Sequence, residues 1–289
     1  MSDSPDSSRK ITTHTFQLKK QRGERLTMLT AYDYPMARAV DLTRIDSILV
    51  GDSLGMVVLG YDNTLPVTME EMLHHCRAVS RGASRALLIG DMPFMSYQVS
   101  VEDAVRNAGR FLQESGMDAV KLEGGKERIP AIMAILEAGI PVLGHLGLTP
   151  QSVHKLGGFK AQGKTAEAAL SLLDDALSLE EAGCFSIVLE AVPSRVASYI
   201  SQKLKIPTIG IGAGNECDGQ VLVTHDLLGL FDKFTPKFVK QYSVLHQEIN
   251  KALKNYREEV IRGEFPTSQH SFIISDQEWE IFLDQVGDS

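Results

Sequence analysis

Four carboxylates, Asp52, Asp91, Glu123 and Glu190, each stand where a short apolar run breaks off: SILVGDS at 47–53, RALLIGDM at 85–92, AVKLEGG at 119–125 and FSIVLEAV at 185–192. A strand buried on both faces reads as continuous Val, Ile and Leu, so an acid at its end costs stability unless something there needs it. The first three acids fall on successive runs, and carboxylates brought together repel one another unless a cation lies between them. Mg²⁺ is the natural choice, because it takes hard oxygen ligands and keeps waters and substrate oxygens. Lys121 is two residues before Glu123 and so on the same face of its strand. It would neutralise the acids, hold an anionic substrate group beside the metal, or both. Glu190, two runs further on, would stand apart from the metal and be free to act as a general base. His145, in PVLGHLG at 141–147, comes between the two groups in strand order. It would bond substrate, orient Glu190, or simply be satisfied by its own loop.

Each acid also has a plainer reading. Asp52 in VGDSLG and Asp91 in IGDMPF would cap turns, as Asp beside Gly commonly does, and Glu190 would bond a neighbouring loop. The repetition at three successive run ends is what favours a metal. GIGAG at 210–214 would present backbone amides to a phosphate, or be a tight glycine turn; it lacks the full dinucleotide-binding spacing. Lys155, Lys160 and Lys164 flank a Gly-rich stretch that would be either a lid over an anionic ligand or a solvated crossover.

The elements that must carry these residues follow from periodicity. RLTMLTAY at 25–32, PTIGIGAG at 207–214 and GQVLVTHDL at 219–227 add strands to the five runs above, giving eight. Helical spacing occupies 34–42, 68–81, 100–115, 127–138, 164–182, 195–203 and 239–262. Alternation of this kind implies parallel strands with right-handed crossovers, and eight strands imply an α/β fold closed as a (β/α)8 TIM barrel, whose strand ends converge on one mouth. Thr68 with Glu71 forms a capping box, and Ser100 precedes acids in a first turn. Gly116, Gly139 and Gly183 stand where helices turn toward the next strand. Apolar residues beyond one inward stripe on 68–81 and 239–262 suggest subunit contacts.

The 289 residues suit one domain: a polar, disordered segment at 1–10, a catalytic barrel over 11–263, and a tail at 264–289 that holds the only tryptophan, Trp279. Hydrophobic residues at 43% and charged residues at 23% provide an ordinary core and surface. A net charge of −8 and a pI near 5.5 give no overall basic field, so no nucleic-acid partner is expected. Three cysteines without a CxxC pair fit buried thiols in a reducing compartment. With neither an apolar leader segment nor a run long enough to cross a bilayer, the expected location is the cytoplasm, away from membranes.

Beyond these residue-level readings, the blocks TAYDYPMA (30–37), GDSLG (51–55), IGDMPFMSY (89–97), KLEGG (121–125), GHLGLTPQS (144–152), IVLEAVP (187–193) and DGQVLVTHDLLG (218–229) closely resemble ketopantoate hydroxymethyltransferases. The similarity extends from about residue 10 to about residue 272. It implies a Mg²⁺-dependent (β/α)8 enzyme of pantothenate biosynthesis, with one Mg²⁺ per subunit. The enzyme would transfer a hydroxymethyl group from 5,10-methylenetetrahydrofolate to 3-methyl-2-oxobutanoate through a metal-stabilised enolate. By that resemblance Asp52, Asp91 and Glu123 hold the metal directly or through water. Ser53 and Lys121 bind substrate in company with Asp52, Asp91 and His145, and Glu190 is the base. A homo-oligomer, often a decamer, is implied as well. Two other readings compete. Lyases of the phosphoenolpyruvate mutase and isocitrate lyase type share this fold and metal chemistry but use a cysteine in a KKCGH-like loop, absent here; a silent anion-binding barrel would have lost the acids or the base.

Overall fold

The computed structural model describes residues 9–156, 158 and 161–287, without the side chains of 155 and 156. Helix α1 (Thr13–Gln21) leads into β1 (Leu26–Thr30), α2 (Tyr34–Leu42), β2 (Ser47–Val50), the short α3 (Leu54–Val57) and α4 (Met69–Gly82). Then come β3 (Leu87–Asp91), α5 (Val101–Ser115), β4 (Ala119–Glu123), α6 (Ile129–Glu137), β5 (Val142–Gly147), the short α7 (Val153–Leu156) and α8 (Ala166–Ala182). The remainder is β6 (Ser186–Glu190), α9 (Ser194–Lys203), β7 (Thr208–Ile211), β8 (Gly219–Leu222), α10 (Thr224–Leu227), α11 (Leu245–Arg262) and α12 (Asp276–Val286). The eight strands form a closed barrel in sequence order, each parallel to its neighbours, with β8 returning to β1. The expected TIM barrel is therefore what the sequence folds into.

Alternation along each strand divides the core in two and places the chemistry. Leu26, Met28, Leu49, Leu87, Ile89, Leu143, Val188, Ile209 and Val221 pack together inside the barrel, while Ile48, Val50, Leu88, Val120, Leu122, Val142, Ile187 and Leu189 face the helices. Continuing the inward parity brings Asp91 after Ile89, Lys121 and Glu123 after Ala119, His145 after Leu143 and Glu190 after Val188. The register then sets Asp91 beside Lys121 and Glu123 beside His145. Because strands of a barrel share one direction, all of these residues reach the same mouth.

The opposite end is closed by α1, which periodicity alone did not disclose. Phe16 is fully buried and meets Phe185 edge-on, ring centroids 5.7 Å apart. Lys19 pairs with Asp46 at 2.8 Å, and Lys20 donates to Ser201 O, Ile206 O and Asp218 Oδ2 at 2.8–2.9 Å. Phe16→Ala should cost about 3–5 kcal/mol, the usual penalty for emptying a buried aromatic site, read as a lower urea midpoint with an unchanged slope.

Several boundaries move for identifiable reasons. Strand β8 stops at Leu222, and 224–227 is helical instead of extended, because Thr224 turns back to bond Thr30 through both its amide and its hydroxyl. The helix expected over 127–138 begins as a 3₁₀ turn, and its α part starts at Ile129 with Pro130 in the first turn. Thr165 caps α8, so that helix begins after Lys164. Helix α11 starts at Leu245 rather than at 239. Thr68 and Glu71 form the capping box, Ser100 caps α5, and Gly116 and Gly183 end α5 and α8 in the left-handed conformation. On α4 the surplus apolar residues Met72, Leu73, Cys76 and Val79 are core, so they offer no subunit surface. The three cysteines are free and buried.

Contacts divide the chain into two compact units, Met1–Gln241 and Tyr242–Ser289. The second contains α11, with exposed Leu253, Tyr256 and Ile261, and α12, where Trp279 stacks on Phe282 at 5.3 Å. Of the segment expected to be disordered, 1–8 lies outside the described residues, whereas Lys10 pairs with Asp118 at 2.8 Å. Among the described residues no helix is long and apolar enough to cross a membrane.

Candidate active site

At the mouth lies a cavity of about 520 Å³ whose lining includes Asp52, Ser53, Asp91, Lys121, Glu123, His145 and Glu190. All seven site residues singled out in the sequence are thus brought together. Asp52, Asp91, Lys121, Glu123 and His145 are each at most 4% exposed; the Glu190 side chain, at 16%, is the most open of the acids.

Three carboxylates form one wall. The Asp52 amide donates to Asp91 Oδ2 at 3.1 Å, and Lys121 Nζ lies 2.8 Å from Asp91 Oδ1. Burial, then the charges of Asp91 and Glu123, push the Asp52 carboxyl well above its usual range. Lys121 is held charged: burial works against it, but Asp91, Glu123 and Asp52 outweigh that loss. Among the described residues no backbone amide bonds to the carboxylate of Asp52 or Glu190. Ser53 makes no capping bond at α3 and instead shares a hydrogen bond of 2.9 Å with the Tyr32 hydroxyl.

His145 joins this wall to Glu190. Its Nδ1 lies 3.3 Å from Lys121 Nζ and 3.5 Å from Glu123 Oε1, while Nε2 is 3.1 Å from Glu190 Oε2. Of the open readings for His145, contact with Glu190 is the one this geometry favours. Burial and Lys121 lower the imidazole's basicity, but the carboxylates of Glu123 and Glu190 prevail and raise its pKa to about 9. Ala191 next to Glu190 has φ of 49°, a strained conformation for a residue other than glycine, of a kind found at functional sites.

The donor set suits Mg²⁺ on two observations. The buried oxygens Asp91 Oδ1 and Glu123 Oε1 face Lys121 at 2.8 Å and His145 at 3.5 Å, and the four acids of the mouth share these two cationic groups, which leaves negative charge to be neutralised. Among the described residues no group of three or more acid, His or Cys side chains is placed so as to hold a metal ion by itself.

Sequence reading missed the groups that brace the acids. Gln151 Nε2 donates to Asp52 Oδ2 at 2.9 Å and to Met92 O at 3.0 Å, its amide donates to Glu123 Oε2, and its Oε1 accepts from the Tyr97 hydroxyl at 2.7 Å. Tyr97 in turn accepts from the Glu123 amide. Gln151 lies in a single 3₁₀ turn (Pro150–Ser152) and Tyr97 in a loop, where no periodicity marks them, whereas Tyr32 follows a strand end and carried the same signal as the acids. The glycine turn at 210–214 is occupied by protein: a Cβ on Gly212 would come within 2.8 Å of the Phe238 ring. Lys164 is exposed; the side chains of Lys155 and Lys160 lie outside the described residues.

Comparison with known proteins follows the same lines. The family model for ketopantoate hydroxymethyltransferase matches residues 10–268. The 3-methyl-2-oxobutanoate hydroxymethyltransferase of Syntrophus aciditrophicus (strain SB) is 60% identical over 265 residues, covering 92% of this chain and 97% of that relative. Its namesake from Syntrophobacter fumaroxidans (strain DSM 10017 / MPOB) is 62% identical over 258 residues, covering 89% and 92%. Among solved structures, phosphonopyruvate hydrolase in complex with oxalate and Mg²⁺ superimposes with a TM-score of 0.61 at 11% identity over 96% of this chain and 95% of that one. A 2,3-dimethylmalate lyase of the phosphoenolpyruvate mutase and isocitrate lyase superfamily gives 0.57 at 13% identity, covering 95% and 98%. At such identities these two likenesses concern the fold alone.

Proposed function

The chain belongs to the ketopantoate hydroxymethyltransferase family, and from that premise we propose that its barrel mouth transfers a hydroxymethyl group from 5,10-methylenetetrahydrofolate to 3-methyl-2-oxobutanoate, with Mg²⁺, through an enolate. The observation that carries this reading is the division of the site. One wall gathers Asp52, Asp91 and Glu123 around Lys121; the other holds a more open carboxylate, Glu190, against His145.

The chemistry needs that division. A proton on carbon beside a ketone is too weakly acidic for a carboxylate acting alone. Asp52, Asp91 and Glu123 would hold Mg²⁺ directly or through water, and the bound metal would supply Lewis acidity for the negative charge that develops on the keto oxygen. Glu190 removes the proton from C3, and His145 holds its carboxylate in place. Lys121 and Ser53 hold the carboxylate of the oxo acid, Ser53 being oriented by Tyr32. Carbon C3 then forms its bond to the one-carbon unit of the donor as the bonds from that carbon to the folate nitrogens break. Water supplies the hydroxyl of ketopantoate, and tetrahydrofolate leaves with two protons on the nitrogens that held the carbon, one taken from C3 by Glu190 and one from that water. The lyase alternative wants a thiol at the mouth, and none of the cysteines lines the cavity.

The test is exchange of the C3 proton of 3-methyl-2-oxobutanoate in D₂O, followed by NMR. Exchange with Mg²⁺ that disappears on adding EDTA and returns with excess Mg²⁺ is expected. Absence of exchange under every condition, with or without tetrahydrofolate, would overturn the proposal.

A further inference from the structure

The cavity is larger than a short branched oxo acid requires. Its volume of about 520 Å³ lies within the range, roughly 300–1,000 Å³, of pockets that enclose drug-sized ligands. Beyond the acids its lining turns apolar, with Val223, Phe231, Phe234, Pro236 and Phe238 following β8. Two charged groups, Asp226 and Lys237, interrupt that apolar stretch. Asp226, on α10, lines the same cavity, is only 8% exposed, and its carboxylate has no hydrogen bond or ion pair among the described residues. Its backbone is fixed, because Thr224 binds Thr30 through amide and hydroxyl at 3.0 and 2.5 Å. With no partner to offset it, burial raises the carboxyl to about 6. A buried carboxylate without donors is costly, and a ligand that brings donors removes the cost.

We propose that Asp226 anchors the flat ring of the one-carbon donor, accepting N–H bonds from a 2-amino-4-oxopyrimidine edge while the phenylalanines of 231–238 cover the ring. This rests on the reading of the donor as a reduced folate. The chemistry matches at both ends. Two adjacent N–H groups on one ring edge suit the two oxygens of a carboxylate, as in other forked pairs, and aromatic side chains favour a flat partner. Asp226 and the phenylalanines follow β8, whereas Asp91 and Glu123 end β3 and β4. The donor would therefore enter from a different sector of the mouth from the metal wall, with C3 of the oxo acid between them.

The experiment is calorimetric titration of tetrahydrofolate into the full-length enzyme holding 3-methyl-2-oxobutanoate and Mg²⁺, for wild type and Asp226→Asn. C3 proton exchange, which needs no donor, is measured on the same samples. We expect the variant to bind tetrahydrofolate at least about 10-fold more weakly and to show a raised KM for the methylene donor, with exchange retained. A 2-desamino analogue should bind both proteins with similar, weak affinity. Equal tetrahydrofolate affinity in the two proteins overturns the proposal. So does loss of exchange in the variant, which would place Asp226 in the oxo-acid site or in the framework. Failure of the wild type to bind tetrahydrofolate at all would instead sink the reading of the donor itself.

Discussion

Glu190→Gln is expected to slow exchange of the C3 proton by about 10²–10⁴-fold, the range lost when a positioned general base is removed. The amide has the shape of the acid but cannot take up the proton, so the oxo acid should bind with nearly unchanged KM. The position argues for a large effect. Glu190 ends β6, across the barrel from Asp52 and Asp91, and its carboxylate is the most open of the acids at the mouth. His145 beside it lies between two carboxylates and is the more basic for it, so it is poorly suited to replace Glu190 as base. NMR exchange rates with saturating Mg²⁺ decide the matter: a variant within about 3-fold of wild type would mean that another group removes the proton.

The second large effect falls on stability. Lys121→Met keeps most of the side chain's length and removes its charge, depriving Asp91 of the ammonium 2.8 Å away and leaving His145 as the cation among the buried acids. Breaking a buried pair in this way costs about 3–5 kcal/mol, because the surviving charge stays uncompensated. Urea unfolding in EDTA should show that loss. Saturating Mg²⁺ should restore part of it, since any ligand that binds only the folded state stabilises it by mass action. Lowering the pH should also narrow the gap, as the Asp52 carboxyl, whose pKa is raised by burial and by the charges of Asp91 and Glu123, takes up its proton. If wild type and variant unfold at the same urea concentration in EDTA, the acids are already protonated in the folded protein and the charge argument for a cation fails.

The barrel and its acids were legible because both rest on period-2 alternation in buried strands. An apolar run that ends in a charge is conspicuous, and Ile89-Gly-Asp91 and Leu122-Glu123 show it plainly. The capping signals at Thr68 and Ser100 were legible for a similar reason, since each bond is local. Long-range partnerships left no such trace. Gln151 contacts Asp52 from 99 residues away, and its own neighbourhood in Thr149-Pro150-Gln151 reads as an ordinary turn. Helix α1 was missed because only Phe16 of its nine residues is buried, too narrow a stripe to give a periodic signal. Strand β8 was read too long because Val221-Leu222-Val223 is apolar past the point where Thr224 turns the chain back to Thr30.

Helix α1 bears on the protein's birth as well as its shape. Lys20 finds its acceptors 181, 186 and 198 residues later in the chain, and β1 pairs with β8, the last strand made. At the usual 5–20 residues per second, the ribosome needs about 10–40 s to supply them. During that interval Ile11 and Phe16 have no barrel floor to cover, and the first strand has one free edge. The nascent barrel thus cannot close until β8, ending at residue 222 of 289, has been made, and its earliest apolar residues are the ones a chaperone would have to shelter longest.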